Sequence, residues 1–142
     1  MRRSEALKPL SHDHHQGLYV ALQLKRAGPD TAAEAREAFL DFLGREAAHF
    51  RAEEELLLPA FARHCEPDDP SIVRVLCEHV DLRRRGQDLA RAGADPDLAQ
   101  LHELGKRLES HIRHEERELF PRIEDSLSAG ELEELAAALK TA

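Results

Sequence analysis

An eleven-residue pattern occurs twice in this chain. It runs from His49 to Pro59 (His-Phe-Arg-Ala-Glu-Glu-Glu-Leu-Leu-Leu-Pro) and again from His111 to Pro121 (His-Ile-Arg-His-Glu-Glu-Arg-Glu-Leu-Phe-Pro). The copies share His, Arg, two adjacent Glu, Leu and Pro at the same offsets. On a helix, residues four apart sit one turn apart on one face. Each copy can therefore aim one imidazole, His49 or His111, and one carboxylate, Glu53 or Glu115, at a common point. A fold that uses both copies must set two helices face to face across a shared interior.

The rest of the chain supplies such helices. Charged residues make up 34% and aromatic residues 4%, and Leu, Ala, Glu and Arg dominate, which favours helix over strand. Ser11, after Pro9, reads as the N-cap of a first helix that stops at Gly28-Pro29, its apolar stripe including Leu18, Ala21, Leu22 and the stem of Lys25. A second helix starts near Asp30-Thr31 and runs to about Cys65, with Phe39, Phe42, Leu43, Phe50, Leu57 and Phe61 at helical spacing and a bend at Pro59. Asp69-Pro70 opens a third, through Leu76, Val80 and Leu89 to Gly93. Asp95-Pro96 opens a fourth, through Leu101, Leu104, Leu108, Ile112 and Leu119, bent at Pro121. Ser128-Ala-Gly-Glu131 is a capping box before a short terminal helix carrying Leu132, Leu135, Ala136 and Leu139.

No useful stretch alternates with period two, so strands are not expected. Short connections make successive helices antiparallel neighbours. The expectation is an all-α chain: an up-down-up-down four-helix bundle with a short C-terminal fifth helix, a single domain over residues 1–142. A chain of 142 residues can bury such a core without disulfides.

Charge and hydropathy exclude several functions. A net charge of -8 disfavours nucleic acid, whose phosphates need a basic surface. The run Arg83-Arg84-Arg85 is explained by a solvated helix face. No apolar stretch approaches the ~20 residues of a membrane span, and the amino terminus lacks the apolar core of a signal peptide. The expected location is the cytoplasm, where Cys65 and Cys77, wrongly spaced for a Cys-x-x-Cys site, are free thiols.

The histidines point to a metal. There are nine, several at inward-facing positions. His49 and His111 lead the two copies, and His79, beside Glu78, lies three residues before Leu82 on the third helix. The first helix carries Asp13-His14-His15. His14 lies one turn before Leu18, while His15 is spaced to both Leu18 and Leu22, so either can face inward. His12, His64, His102 and His114 are expected at the surface or behind the ligands. Four imidazoles and two carboxylates suit iron, and also zinc or manganese. Glutamate can bridge two ions about 3.5–4 Å apart, and two carboxylates with one bridging oxide or hydroxide offset much of their charge in a low-dielectric interior.

A lone His-x-x-x-Glu pair is ordinarily a surface pair worth a few tenths of a kcal/mol. Two copies, with histidines on the two remaining helices, favour a metal centre instead. A zinc-protease site is excluded, since no His-Glu-x-x-His occurs. A ferritin-like carboxylate site needs two Glu-x-x-His motifs, and only Glu46-Ala-Ala-His49 supplies one.

Asp13-His14-His15, His49-Phe-x-x-Glu53-Glu54, Glu78-His79 and His111-x-x-x-Glu115-Glu116 together resemble the hemerythrin-like (HHE cation-binding) family, and the likeness covers nearly all of the chain. The resemblance implies a non-haem di-iron centre in a four-helix bundle. His49, His79 and His111, with His14 or His15, would be terminal ligands, and Glu53 and Glu115 bridging carboxylates. Oxygen carriers of that family place a further histidine one turn before the third-helix histidine; here that position is Val75. The centre would then be nearly symmetric, with an open position on each ion, closer to the iron-sensing and iron–sulfur-repair branches. The implied function is to bind or reduce a small diatomic or peroxidic ligand (dioxygen, nitric oxide or hydrogen peroxide), behind an apolar shell of Leu18, Leu22, Phe50, Leu82 and Leu108. The alternative is an iron or oxygen sensor, or an iron-handling protein, without turnover. No surface for a protein partner or for oligomerisation stands out.

Overall fold

A computed structural model describes residues 3–93 and 95–142. Every regular element among the described residues is helical: α1 (Lys8–Lys25), α2 (Ala32–Arg45), α3 (Ala47–Ala52), a π-turn π1 (Glu53–Leu57), α4 (Leu58–Phe61), α5 (Pro70–Ala92), α6 (Leu98–His114), a second π-turn π2 (Glu115–Leu119), α7 (Phe120–Ser126) and α8 (Ala129–Lys140). α1, the α2–α4 run, α5 and the α6–α7 run make four rods. α1 packs on α2, α2 on α5, α5 on α6, and α6 back onto α1. No helix among the described residues is long and apolar enough to cross a membrane.

The caps follow local chemistry, with two departures from expectation. Asp69 accepts from the Ser71 N–H ahead of Pro70, and Ser128 and Glu131 close the capping box of α8. The first helix, however, begins at Lys8 with Pro9 in its first turn. Pro9 costs nothing there, because the opening N–H groups have no intrahelical partner anyway. That leaves Ser11 inside the helix, its hydroxyl 2.7 Å from Glu116 Oε2. The fourth rod is capped by Asp97, not Asp95, because the Asp97 carboxylate reaches the Ala99 N–H at 2.8 Å.

The prolines widen their helices rather than simply bend them. Leu58 N–H bonds to Glu53 O and Phe120 N–H to Glu115 O, one residue further back than in an α-turn. Pro59 and Pro121 have no N–H, and in an α-turn their rings would crowd the carbonyls of Glu55 and Arg117. The wider turn relieves that contact. The second rod is also interrupted at Glu46, between α2 and α3, where no signal in the sequence announced a break.

The core is in two parts. One holds Val20, Ala21, Leu24, Phe39, Phe42, Phe50, Leu82, Leu89, Leu104, Leu108 and Ile112. The other holds Leu7, Leu10, Leu57, Phe61, Ile72, Val75, Leu119, Phe120 and Ile123. Each rod passes from one part to the other through a histidine: Leu10 to Val20 past His14, Phe42 to Leu57 past His49, Val75 to Leu82 past His79, and Leu108 to Leu119 past His111. Successive rods cross in opposite order, as antiparallel neighbours must.

Two apolar stripes differ from those read in the sequence. On α1 the buried residues are Leu10, His14, Gly17, Val20, Ala21 and Leu24; Leu22 is exposed. On α5 they are Ile72, Val75, His79, Leu82, Gly86 and Leu89, and Leu76 and Val80 face solvent, Val80 at 66%. Glycines set how closely the rods approach. A Cβ on Gly105 of α6 would lie 2.8 Å from the Ala21 carbonyl oxygen and 2.9 Å from Leu24 Cβ of α1, so this crossing requires glycine.

Candidate metal centre

Between the two parts of the core lies a polar layer. His14, His49, Glu53, His79, His111 and Glu115 are all buried, and both glutamates are fully so. The repeated motif brings in His49 with Glu53 and His111 with Glu115, α1 adds His14 and α5 adds His79. Glu53 divides its oxygens between two rods, Oε1 lying 3.1 Å from His79 Nε2 and Oε2 3.3 Å from His49 Nε2. Glu115 does likewise, with Oε1 2.8 Å from His14 Nε2 and Oε2 3.5 Å from His111 Nε2. Two four-residue groups result, each compact enough to hold a metal ion: His14, His49, Glu53 and Glu115, and Glu53, His79, His111 and Glu115. Both share the two carboxylates.

The donor atoms fit cations better than they fit one another. All four oxygens of Glu53 and Glu115, with Nε2 of His14, His79 and His111, are buried and have no hydrogen-bond partner among the described residues. Their approaches of 2.8–3.5 Å lack the angles of hydrogen bonds. Leaving so many buried polar atoms unsatisfied is costly unless something compensates them. Nitrogen and carboxylate donors suit iron, zinc and manganese.

The outer nitrogens of the four imidazoles are all engaged. Nδ1 of His49 donates to Asp13 (3.0 Å), of His79 to Glu54 (2.6 Å), of His111 to Glu78 (2.8 Å) and of His14 to Glu116 (2.8 Å). A carboxylate only accepts, so the hydrogen sits on Nδ1 and a neutral ring turns its Nε2 lone pair inward. These bonds run around the bundle. The acid of the first rod holds the histidine of the second, the second's acid holds the third's, the third's holds the fourth's, and the fourth's holds the first's. Ser11, Arg83 and Arg74 in turn bind Glu116, Glu54 and Glu78.

Burial and the neighbouring carboxylates shift the titration of the layer's own groups. His14 is raised from 6.5 to about 9: burial works against its proton, but the carboxylates of Glu115 and Glu116 beside its two nitrogens outweigh that. His49 is raised well above its usual range, Glu53 and Asp13 overcoming burial. His111 is also raised against burial, chiefly by Glu115. Glu53 is held well below the usual carboxylate range in spite of burial, mainly by His49. Glu115 is pushed up, first by burial and then by the charge of Glu53.

Of the residues singled out from sequence, His15 alone lies outside the layer. It is exposed, with its ring centroid 6.1 Å from that of His12. The stripe of α1 turns about Leu10, Gly17, Ala21 and Leu24, which carries His14 inward and His15 out. Among the other histidines, His102 Nε2 donates to Ala27 O at 2.7 Å, His64 pairs with Glu131, and His114 is buried with Nδ1 bonded to Glu118. Of the expected apolar shell, Phe50 stacks on the His79 ring at 4.0 Å and Leu82 and Leu108 are buried, but Leu22 is at the surface. Phe120, which was not foreseen there, stacks on His14 at 5.5 Å. Sequence reasoning also missed Glu46, which is buried with Oε2 3.2 Å from His49 Nδ1 and raised to about 7, mainly by burial. The roles of Asp13, Glu54, Glu78 and Glu116 were missed too, although each adjoins a member of the layer in sequence.

A sequence model of the hemerythrin HHE cation binding domain matches residues 8–123, a span that holds all six members of the layer. No curated protein and no solved structure matches the chain. With four rods carrying two buried His/Glu groups able to bind metal, this chain belongs to the hemerythrin HHE cation-binding domain family.

Proposed function

We propose that the protein holds two non-haem iron ions and uses them to bind or reduce a small diatomic or peroxidic ligand (dioxygen, nitric oxide or hydrogen peroxide). The observation that carries this reading is the sharing of Glu53 and Glu115 between both four-residue groups. A carboxylate with one oxygen in each group is the means by which a protein holds two cations close together. A bridged ferrous pair, when bound, would supply the electrons and the open coordination that such ligands require.

The chain's own residues do the remainder. His14 and His49 would serve one ion, and His79 and His111 the other. Their Nδ1–carboxylate bonds fix each ring's tautomer and aim, and make the inward nitrogen a better donor. Phe50 and Phe120 cover two of the rings, and the two parts of the core close the layer above and below, keeping bulk water out. Val75, fully buried, packs in the core at the position where oxygen carriers of the family have a further histidine, so the donors fall two and two. That symmetry favours ligand chemistry at a pair of similar ions over oxygen storage.

The test is anaerobic loading with ferrous iron, metal analysis, and absorption spectroscopy with dioxygen, nitric oxide and peroxide in turn. Two irons per chain with a spectral response to at least one ligand is the expected result. Iron that binds but answers to none of the three rules the reading out.

A second reading, an iron or oxygen sensor without turnover, is favoured by one further observation. The unsatisfied polar layer divides the core, so metal occupancy and order of the bundle should be linked. Equal protease cleavage of iron-loaded and metal-free protein would count against it.

A further inference from the structure

Beside the polar layer, a surface cavity of about 450 Å³ opens between α1 and the α2–α3 junction, walled in part by His12, Asp13, His15, Glu46 and His49. The internal repeat provides a control. The shift that lays His49 on His111 lays Glu46 on Leu108, and the shift that lays His14 on His79 lays His12, Asp13 and His15 on Cys77, Glu78 and Val80. At the counterpart position, by Glu78, Asp81 and Arg107, the cavity is only about 120 Å³. Its acids are already compensated, Glu78 by Arg74 at 3.0 Å and Asp81 by Arg85 at 3.1 Å, and Leu108 is buried in the core. One face of the molecule thus carries two imidazoles and a carboxylate where the other carries a thiol, a valine and a leucine.

Glu46 stands out on the open face. It is only 8% exposed, yet it accepts no hydrogen bond among the described residues. Among the described residues its sole polar contact is Oε2 at 3.2 Å from His49 Nδ1, whose hydrogen already goes to Asp13 at 3.0 Å. Asp13 and Glu46 both lean on the His49 ring, so two carboxylates share at most one positive charge there. Arg45 lines the same cavity but is exposed and pairs with neither acid. Oxygens of Asp13 and Glu46 lie within 4.8 Å of each other, both beside His49 Nδ1.

We propose that Asp13 and Glu46, with the exposed His12 and His15 at the rim, form an outer divalent-cation site distinct from the buried pair. His49 keeps its Nδ1 hydrogen and closes the inner wall. Two carboxylates, water and rim imidazoles suit a hard, oxygen-preferring ion such as Mn²⁺. The site goes beyond the proposed di-iron function and does not depend on it.

The test uses the full chain loaded with zinc, freed of excess metal and titrated with Mn²⁺, with free Mn²⁺ read by electron paramagnetic resonance. Wild type should bind one Mn²⁺ per chain beyond its zinc. Glu46→Leu, which installs the counterpart residue, and the double variant His12→Ala/His15→Ala should each weaken it at least tenfold, with helicity unchanged in both and zinc content unchanged in the double variant. No Mn²⁺ on wild type, or equal binding to both variants, overturns the site. Should Glu46→Leu fail to fold, the double variant, altered only at exposed positions, decides. If the protein takes up no zinc, the buried-pair reading falls, while Mn²⁺ bound to wild type and lost in the variants still supports the outer site.

Discussion

At the scale of single residues, Glu53 and Glu115 differ from the histidines in serving both groups at once. On the proposed two-ion reading, replacing either glutamate with alanine should therefore bring metal content from two ions per chain to below one, whereas His79→Ala should leave the His14/His49 half able to keep its ion. Metal analysis of purified variants distinguishes these outcomes. His14 predicts a pH dependence. In the metal-free chain its pKa is about 9 against 6.5 in the unfolded chain, because Glu115 and Glu116 hold its proton against burial. Between those values the folded chain binds a proton that the unfolded chain has released. The stabilisation is complete below pH 6.5 and is lost as pH rises through 9, at up to about 1.4 kcal/mol per pH unit. Melts of chelator-treated protein at pH 6.5 and 9 should show a falling Tm, and His14→Ala should flatten the difference. His14 also marks where reading the sequence ran out. Anchoring the stripe of α1 on Leu18 and Leu22 left it level with His15, since two adjacent residues flank such a stripe almost equally.

Among elements, each rod presents an acid that orients the next rod's histidine, so the layer is built between helices rather than on any of them. Asp13 adjoins His14 yet holds His49, and Glu78 adjoins His79 yet holds His111. Adjacent residues on a helix point about 100° apart, which is why the acid turns to the neighbouring rod while the histidine turns inward. The motif was legible in the sequence; the partner of each acid was not. The two π-turns were likewise read only as proline bends. Each begins at the shared glutamate, so the added residue alters where that carboxylate points relative to the leucines after it. Rod spacing gives the third prediction. Gly105→Ala would drive a Cβ into the Ala21 carbonyl and Leu24, where neither backbone nor packed core yields easily. A loss of about 1–3 kcal/mol is expected, read as a lower midpoint in urea unfolding, with helicity retained under native conditions.

For the whole molecule, the polar layer interrupts what would otherwise be one continuous core, so stability and metal occupancy should be linked. Any ion that binds only the folded chain stabilises it by mass action, about 4 kcal/mol at a thousandfold excess over Kd. Adding ferrous iron or zinc to chelated protein should raise Tm by several degrees and slow proteolysis. A Tm indifferent to metal would mean that the layer is satisfied without ions. At this scale the sequence was most informative. Turn residues, caps and helical periodicity gave the number of rods, and the histidine on each rod gave the level at which they meet. The exposed Leu76 and Val80 show the limit. Both fall at helical spacing to core positions on α5, but the rod turns them to solvent and buries Ile72, Val75 and Leu82 instead.

The repeat, the residue types and the punctuation by themselves determined an all-helical bundle in which four rods bring imidazoles and two glutamates together. Those are properties of local geometry: a period of 3.6 residues, a proline without a donor, a carboxylate one turn from a histidine. The tertiary structure alone decided which of two adjacent histidines entered the layer, which acid held which ring, and that one face kept a wide cavity with acids short of partners where its counterpart is smaller and its acids are ion-paired. Each of those depends on how a rod is rotated against its neighbours, and that rotation is set by packing across the bundle rather than by any one segment of the chain.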